Sequence, residues 1–512
     1  MFKLTKQQFS NFYCFFILLF QIASLQLASA QNALFTSIPA SYSGIGFDNI
    51  LVETASANVY LYQYMYNGGG IAAGDINNDG LTDLFFTGNM VEDRLYLNKG
   101  NLQFEDITKS ALPTEPNGWS TGTTMADVNG DGWLDIYVCR SGQFSSANRT
   151  NLLYINNGNN TFSEQAKKYG LNDSAFSTQA AFFDMDADGD LDMFLLNHAV
   201  KQPRSLILGD LRNQRNEFAG NKLFRNDNGF FTDISIQAGI KGNLVNFGLG
   251  LSIGDINNDN YPDIYVTNDY REQDFLYLNN KNGTFSEVLN KQIGHIPLFS
   301  MGSDMADINN DGLLDLFVAD MLPEDNFRQK KLKGPLRYDA YEMSIELGYY
   351  HQIMHNMLQL NNGNGTFSEI AYSTGVAATD WSWAPLIADF DNDGISDIYI
   401  TNGYRHDFTD MDFIKYGYGE IEKKAQAAGK EINTLDLVNS MDELKISNYL
   451  FLGTEEIQLL DMLANTKLTK HCELDETQIA IDLKAYNLES GLYFVRLNGV
   501  EYTLIKKVLI SD

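Results

Sequence analysis

The stretch Asp75–Asp83, DINNDGLTD, decides the reading of this chain. It sets carboxylate or carboxamide oxygens at its first, third, fifth and ninth positions and a glycine at its sixth. Five further copies follow: DVNGDGWLD from Asp127, DMDADGDLD from Asp184, DINNDNYPD from Asp255, DINNDGLLD from Asp307 and DFDNDGISD from Asp389. The side chains offered as ligands are Asp75, Asn77, Asp79 and Asp83; Asp127, Asn129, Asp131 and Asp135; Asp184, Asp186, Asp188 and Asp192; Asp255, Asn257, Asp259 and Asp263; Asp307, Asn309, Asp311 and Asp315; and Asp389, Asp391, Asp393 and Asp397. Oxygen donors on alternate residues of a tight turn wrap a hard cation, so each loop is expected to hold one Ca2+, up to six in all. The sixth position calls for positive φ, which glycine adopts freely and asparagine, here Asn260, next most readily. An EF-hand is excluded: its bidentate Glu at position 12 is replaced by Phe86, Val138, Leu195, Val266, Val318 and Ile400.

Each loop runs into a β-type stretch such as DLFFTG or DIYVTN. Eight residues before the first Asp stands an aromatic in five copies: Trp119, Phe176, Phe247, Phe299 and Trp381. A strand of LYLN type follows, then an NGNGT-type turn and a strand centred on Phe104, Phe162, Phe231, Phe285 and Phe367. Four short strands per unit make a propeller blade, with the acidic loop linking the first two. Residues 34–46 read as a last strand without its first three, and 448–452, NYLFL, as a third strand without a fourth. Joined, the two fragments would complete a sixth blade and protect its edge.

The stretches YNGGGIAAGDINNDGLTDLFFTGN (66–89), ADMLPEDNFRQ (319–329) and ATDWSWAPLIADFDNDG (378–394) resemble the FG-GAP/VCBS repeat of integrin-type β-propellers, in the form met in bacterial proteins that often carry an ASPIC/UnbV module. The likeness spans roughly residues 34–452, and that module itself is not visible. It implies an all-β fold: a propeller of six blades, or an incomplete seven, with helical insertions and a small β-sandwich-like domain behind it. The expected domains are a signal peptide (1–30), the propeller (31–453) and a C-terminal domain (454–512).

The excess length of the longer units lies between strands two and three, in insertions at 198–221, 321–356 and 404–447. These open on the face opposite the acidic loops, where loops on a rigid scaffold carry recognition. They hold Lys201, Arg204, Arg212, Arg215, Arg328, Lys330, Lys331, Lys333 and Arg337 with Tyr338, Tyr341, Tyr349, Tyr350 and Tyr404. That mixture suits an anionic glycan or an acidic extracellular protein; the competing reading makes the insertions lids packed on the ring. His351 and His355, HQIMH, have zincin spacing, but Gln352 stands where the general-base Glu is required, which favours a structural role. No nucleophile elbow, P-loop or dinucleotide fingerprint occurs, so no catalytic residue is expected.

The chain has 512 residues and a formal net charge of −30, which argues against nucleic acid and anionic membrane as partners. Lys3 and Lys6, an apolar run from Phe12 to Phe20 and Ala28-Ser29-Ala30 read as an export signal; the run is too short to span a bilayer, and no later segment is long enough. Only Cys139 and Cys472 would remain after cleavage, too few for a disulfide framework. The ending NLESGLYFVRLNGVEYTLIKKVLISD resembles the C-terminal sorting domain of type IX secretion, without its opening Y-P-N-P stretch. That resemblance implies the type IX machinery as a partner and a secreted or outer-surface location. The expected function is a calcium-binding propeller for binding or adhesion, monomeric and without catalysis of its own. The other reading is a lyase-like polysaccharide-degrading enzyme on a calcium-bearing propeller.

Overall fold

The computed structural model describes residues 34–453, apart from 117, 143–145, 201–208, 333–337, 408, 428 and 430–432, together with the backbone of four strands between 456 and 510. The expected signal peptide lies outside the described residues. Residues 1–43 and 44–512 are separate compact units. The first is described only at its end, where the helical turn Ala40–Ser43 closes on the Pro39 carbonyl.

In the second unit each acidic loop joins the first two strands of an antiparallel sheet. Blade 1 is β1 (Ile71–Gly74), β2 (Asp83–Phe86), β3 (Arg94–Asn98) and β4 (Phe104–Asp106). Blade 2 is β5 (Trp119–Ala126), β6 (Asp135–Ser141), β7 (Leu152–Asn156) and β8 (Phe162–Glu164), and blade 3 is β9 (Ser177–Phe183), β10 (Asp192–Asn197), β11 (Lys222–Asn226) and β12 (Phe231–Asp233). Blade 4 is β13 (Gly248–Gly254), β14 (Asp263–Asn268), β15 (Phe275–Asn279) and β16 (Phe285–Glu287). A short strand β17 (Ile296–Pro297) precedes blade 5, which is β18 (Ser303–Ala306), β19 (Asp315–Val318), β21 (Met357–Asn361) and β22 (Phe367–Glu369); β20 (Gln352–Ile353) pairs with β17 in parallel. Blade 6 is β23 (Ser382–Ala388), β24 (Asp397–Asn402) and β25 (Tyr449–Phe451). The fold is therefore a six-bladed β-propeller, as the loop count implies. Strands β26 (Glu456–Leu460), β27 (Thr466–His471), β28 (Gly491–Gly499) and β29 (Tyr502–Ile510) form a further antiparallel sheet in the order β27-β26-β28-β29.

The core lies in the seams between blades. Ile264 and Val266 of β14 pack with Phe194 and Leu196 of blade 3, while Tyr265 between them packs with Leu316 and Val318 of blade 5. A strand buried on both faces has no solvent side, which is why DIYV-type segments read as apolar runs without alternation. The first strands surround one axis. Gly70, Gly122, Thr178, Gly250, Gly302 and Ala384, one from each blade, line a cavity of about 520 Å3. Neighbouring first strands touch backbone to backbone there: the Gly302 N–H donates to the Trp383 carbonyl at 2.7 Å, and a Cβ on Gly302 would fall 2.3 Å from that oxygen. Gly302→Ala is expected to destabilise the ring by about 1–3 kcal/mol, the range for overpacking. A urea midpoint equal to wild type would show that the seam can yield.

The closing strand differs from the sequence reading. NYLFL does form the third strand of blade 6, pairing with β24, but residues 36–39 form no strand, and the sixth sheet has three. In other blades the Asn ending the third strand orders the next turn, as when Asn156 Oδ1 accepts from the Gly158 N–H at 2.9 Å. Gly453 occupies that place in blade 6, where its N–H serves Asp397 at 2.7 Å. Gly44 nevertheless takes the conformation of the glycines that follow the fourth strands of blades 2 and 3. It has φ 77° and packs against the Phe104 carbonyl of blade 1, as Gly170 (φ 80°) does against Phe231 and Gly239 (φ 81°) against Phe285 in the following blades.

Candidate metal centres and the opposite face

All six acidic loops share one geometry. The first Asp accepts from the N–H groups of the fifth and sixth residues: Asp75 Oδ1 from Asp79 at 3.1 Å and Oδ2 from Gly80 at 2.7 Å. The fifth Asp accepts from the seventh N–H, Asp79 Oδ1 from Leu81 at 2.9 Å. The ninth Asp is buried and joins loop to sheet: Asp83 accepts from the Ile76 N–H at 3.0 Å and from the Asn98 N–H of the third strand at 2.7 Å. Asp135, Asp192, Asp263, Asp315 and Asp397 repeat both bonds, with the Gly453 N–H serving Asp397.

The sixth position has φ of 68–96° throughout, as its composition predicts. The fourth is left-handed as well, at Asn78, Gly130, Ala187, Asn258, Asn310 and Asn392, with φ of 55–70°. That requirement was overlooked in the sequence, although Asn or Gly at five of six copies signals it. Three of the asparagines also reach the next blade: Asn78, Asn258 and Asn310 donate through Nδ2 to the carbonyls of Gly132, Gly312 and Gly394 at 3.0–3.1 Å.

The loops with Asp at position 3 gather three carboxylates. Oxygens of Asp184, Asp186 and Asp192 lie within 4.8 Å of one another, as do those of Asp389, Asp391 and Asp397. In the first group Asp186 Oδ1 is buried and without a hydrogen-bond partner. Where position 3 is Asn in loops 1, 2 and 5, its Nδ2 donates to the fifth Asp at 2.9–3.0 Å and relieves part of this crowding. Burial pushes the carboxyls of Asp135, Asp192 and Asp315 up to about 7 and that of Asp263 to about 6, and the neighbouring loop carboxylates add to the effect. Asp186 is raised by burial and by Asp188 and Asp184. Converging oxygens, an orphaned buried acceptor and mutual repulsion fit a hard divalent cation, which would lie between the first, third, fifth and ninth side chains.

Antiparallel order sends the insertions to the other face. There the segment Tyr62–Tyr66 crosses the end of the axis: Tyr64 OH donates to Asp269 at 3.0 Å, and Tyr404 OH donates to the Gln63 carbonyl at 2.9 Å. The recurring aromatics collect around it, Trp119 against Tyr62 with ring centroids 5.4 Å apart and Phe247 against Tyr64 at 6.1 Å. Beside this plug a pocket of about 340 Å3 is lined by Tyr64, Asp269, Tyr270, Phe299, Trp381, Trp383 and Tyr404, among others. Tyr270 holds φ 66°, a strained value for a bulky residue, next to the buried Asp269. Trp381 is the recurring aromatic of its unit, whereas Trp383, two residues on, lies outside the repeat pattern. Tyr64, Asp269 and Tyr270 carried no spacing signal.

The insertion cations are largely spoken for. Arg212 pairs with Glu272, Arg328 with both Asp380 and Asp407, Lys331 with Asp410 at 3.1 Å, and Arg215 donates to the Ile240 and Asn221 carbonyls. These contacts make them clamps that hold lids to the ring. Lys201, Arg204, Lys333 and Arg337 lie outside the described residues. His351 and His355 share no helix, since β20 lies between them; His351 Nδ1 bonds to Tyr341 OH at 2.6 Å, and His355 is buried. Cys139 is buried and free, and among the described residues no helix is long and apolar enough to cross a membrane.

Blades of this pattern, with an acidic loop between their first two strands, define a propeller of FG-GAP-like repeats. The model for the FG-GAP-like repeat matches at 75–138, 143–195, 255–318 and 349–400, and the chain is an FG-GAP-like repeat protein. Residues 439–511 match the secretion system C-terminal sorting domain, which marks it as a secreted or cell-surface protein routed by type IX secretion. Cartilage acidic protein 1 of Xenopus tropicalis is 24% identical over 309 residues, 57% of this chain and 45% of that protein, so the chain spans less than half the length of this curated relative. Among solved structures, an Agrocybe aegerita lectin that recognises non-reducing terminal N-acetylglucosamine aligns with TM-score 0.35 at 15% identity, over 65% of this chain and 74% of its own. The V. cholerae biofilm matrix protein Bap1 aligns with TM-score 0.28 at 11% identity, over 86% and 66%.

Proposed function

We propose that the protein is a calcium-stapled binding propeller of the cell exterior that takes a carbohydrate in the pocket on its insertion face and carries out no catalysis. The pocket carries this reading. Half-buried Trp383, Tyr270 and Phe299 offer apolar faces to sugar C–H groups, backed by the buried, mutually stacked Trp381 and Tyr404, while Asp269 is held behind them by the Tyr64 hydroxyl. Arg212, Arg328 and Lys331 already answer acids of the ring, and Arg271, the cation among the pocket's lining residues, is balanced there by Asp269, so a neutral glycan fits better than the anionic one first expected. For calcium, the supporting observation is the cluster of Asp184, Asp186 and Asp192 with its unpaired Asp186 oxygen. When bound, the ion would neutralise the loop; the chain's own part is to hold the donors in place through backbone N–H groups.

Binding of the calcium-loaded protein to a glycan array is expected to pick out neutral sugars, with Trp383→Ala lowering the affinity by more than about tenfold through loss of a stacking face. An array without hits sinks the carbohydrate assignment. Release of new reducing ends or unsaturated products from any bound polymer sinks the non-catalytic one and favours a lyase-like enzyme.

A further inference from the structure

Away from the acidic loops, residues from three separate parts of the chain meet beside blade 5. His295 immediately precedes β17, His355 follows β20 and Glu369 ends β22. The parallel pairing of β17 with β20 brings the two histidines to one side, and their rings lie 6.1 Å apart between centroids. One ligand atom from each of the three residues falls within 4.8 Å of the others.

The protonation pattern of the donors is set by their outer contacts. His355 Nδ1 meets the Asn356 carbonyl at 2.6 Å, which makes that nitrogen the N–H and turns Nε2 inward as a lone pair. A backbone carbonyl orienting a histidine in this way is the usual second contact of a metal-bound imidazole. Glu369 Oε1 accepts from the Ala371 N–H at 2.6 Å, and Oε2 lies 3.9 Å from His295 Nε2. The corresponding Glu287 of blade 4 shows what that carboxylate otherwise does. Its Oε1 accepts from the Leu289 N–H at 2.9 Å, and its Oε2 is matched by the ammonium of Lys241 at 3.1 Å. In blade 5 two imidazoles stand where that cation would be.

We propose that His295, His355 and Glu369 form a binding site for a transition-metal dication of the Zn2+ type. Two nitrogen donors and one carboxylate suit Zn2+ and exclude Ca2+, which takes oxygen ligands only. His355 and Glu369 are buried or nearly so, whereas the His295 side chain is 32% exposed, so the site opens to solvent on that side. Three protein ligands with an open edge leave the fourth position to water. The exposed ring of Tyr372, 4.7 Å from His355 between centroids, forms one wall of the opening. The site is independent of the acidic loops and of the aromatic pocket.

The test uses the full chain, stripped of transition metals and saturated with Ca2+, titrated with ZnCl2 by calorimetry and with Co2+ by visible absorption. One equivalent of Zn2+ per chain is expected, not displaced by Ca2+, and Co2+ should give the intense visible band of a low-coordinate site. His295→Ala, a partly exposed change that leaves the fold intact by circular dichroism, is expected to lower Zn2+ affinity by more than about 100-fold, beyond what loss of an outer contact costs. His351→Ala should bind as wild type, because its ring is engaged by Tyr341. Absence of stoichiometric Zn2+ uptake would leave only a histidine pair packed against Glu369 and overturn the proposal. So would a His295→Ala variant that binds Zn2+ as tightly as wild type.

Discussion

EDTA treatment of the calcium-loaded protein is expected to lower its melting temperature by roughly 10 °C or more. A ligand at a hundredfold its Kd adds about 2.7 kcal/mol per site, and six loops of one geometry act on the same ring. The pH dependence should change sign with the metal. Asp135, Asp192 and Asp315 titrate near 7 in the fold, against about 3.9 in an unfolded chain. The folded protein without metal therefore binds more protons than the unfolded one between those values. Its stability from these groups is complete below about pH 4 and is lost as pH rises through about 7. With Ca2+ present the proton competes with the ion, so stability should instead fall as pH is lowered through the same window. Equal melting temperatures with and without EDTA at about pH 7.5 would remove calcium from the account of this fold.

Substitution of a ninth-position aspartate should do more damage than loss of a metal. Asp263 is fully buried and accepts from the Ile256 N–H at 3.0 Å and the Asn279 N–H at 2.8 Å. Asp263→Ala leaves two buried donors without acceptors and opens a cavity, at a cost of about 3–5 kcal/mol. Asp259, at the fifth position of the same loop, bonds within the loop and otherwise only to the half-exposed Lys281 at 3.4 Å, a surface pair worth little. Asp259→Ala should therefore weaken the protein in calcium but change little in EDTA, whereas Asp263→Ala should weaken it in both. Urea unfolding of the two variants under both conditions separates the roles. An Asp263→Ala midpoint that matches wild type in EDTA would mean that the residue serves the ion alone.

The repeat was legible because its physics is local. An alternating set of acids, a residue tolerant of positive φ and an apolar run after the loop identify a blade without reference to any other part of the chain. The same locality marked Asp83 and its counterparts, although as ligands rather than as ties between loop and third strand. What crosses between blades was not legible. Nothing near Tyr64 in the sequence announces Asp269 as its partner, and the insertion arginines read as free charge until Glu272, Asp380 and Asp407 are placed beside them. His295, His355 and Glu369 belong to three segments whose meeting depends on β17 and β20, a pair of only two residues each. The fourth strand of blade 6 was misread for a related reason: the fragment at 34–46 resembles one in composition, but pairing with a distant sheet edge is not a local property of a sequence, and the sixth sheet has three strands.

The asparagines at the fourth loop position have a mechanical consequence. Asn78 fastens blade 1 to blade 2, and Asn258 and Asn310 fasten blade 4 to blade 5 and blade 5 to blade 6. At Gly130 there is no side chain to reach blade 3, and at Ala187 only a methyl group. In an array whose units contact only their neighbours, rupture starts at the weakest junction rather than everywhere at once. Asn279 of blade 4 holds the Met185 carbonyl of the blade 3 loop at 2.7 Å, so the acidic rim is a belt of two buckled lengths, blades 1–2 and blades 3–6. Hydrogen exchange should open first at the loops flanking the junctions of blade 2 with blade 3 and of blade 6 with blade 1, which carry no such asparagine tie among the described residues.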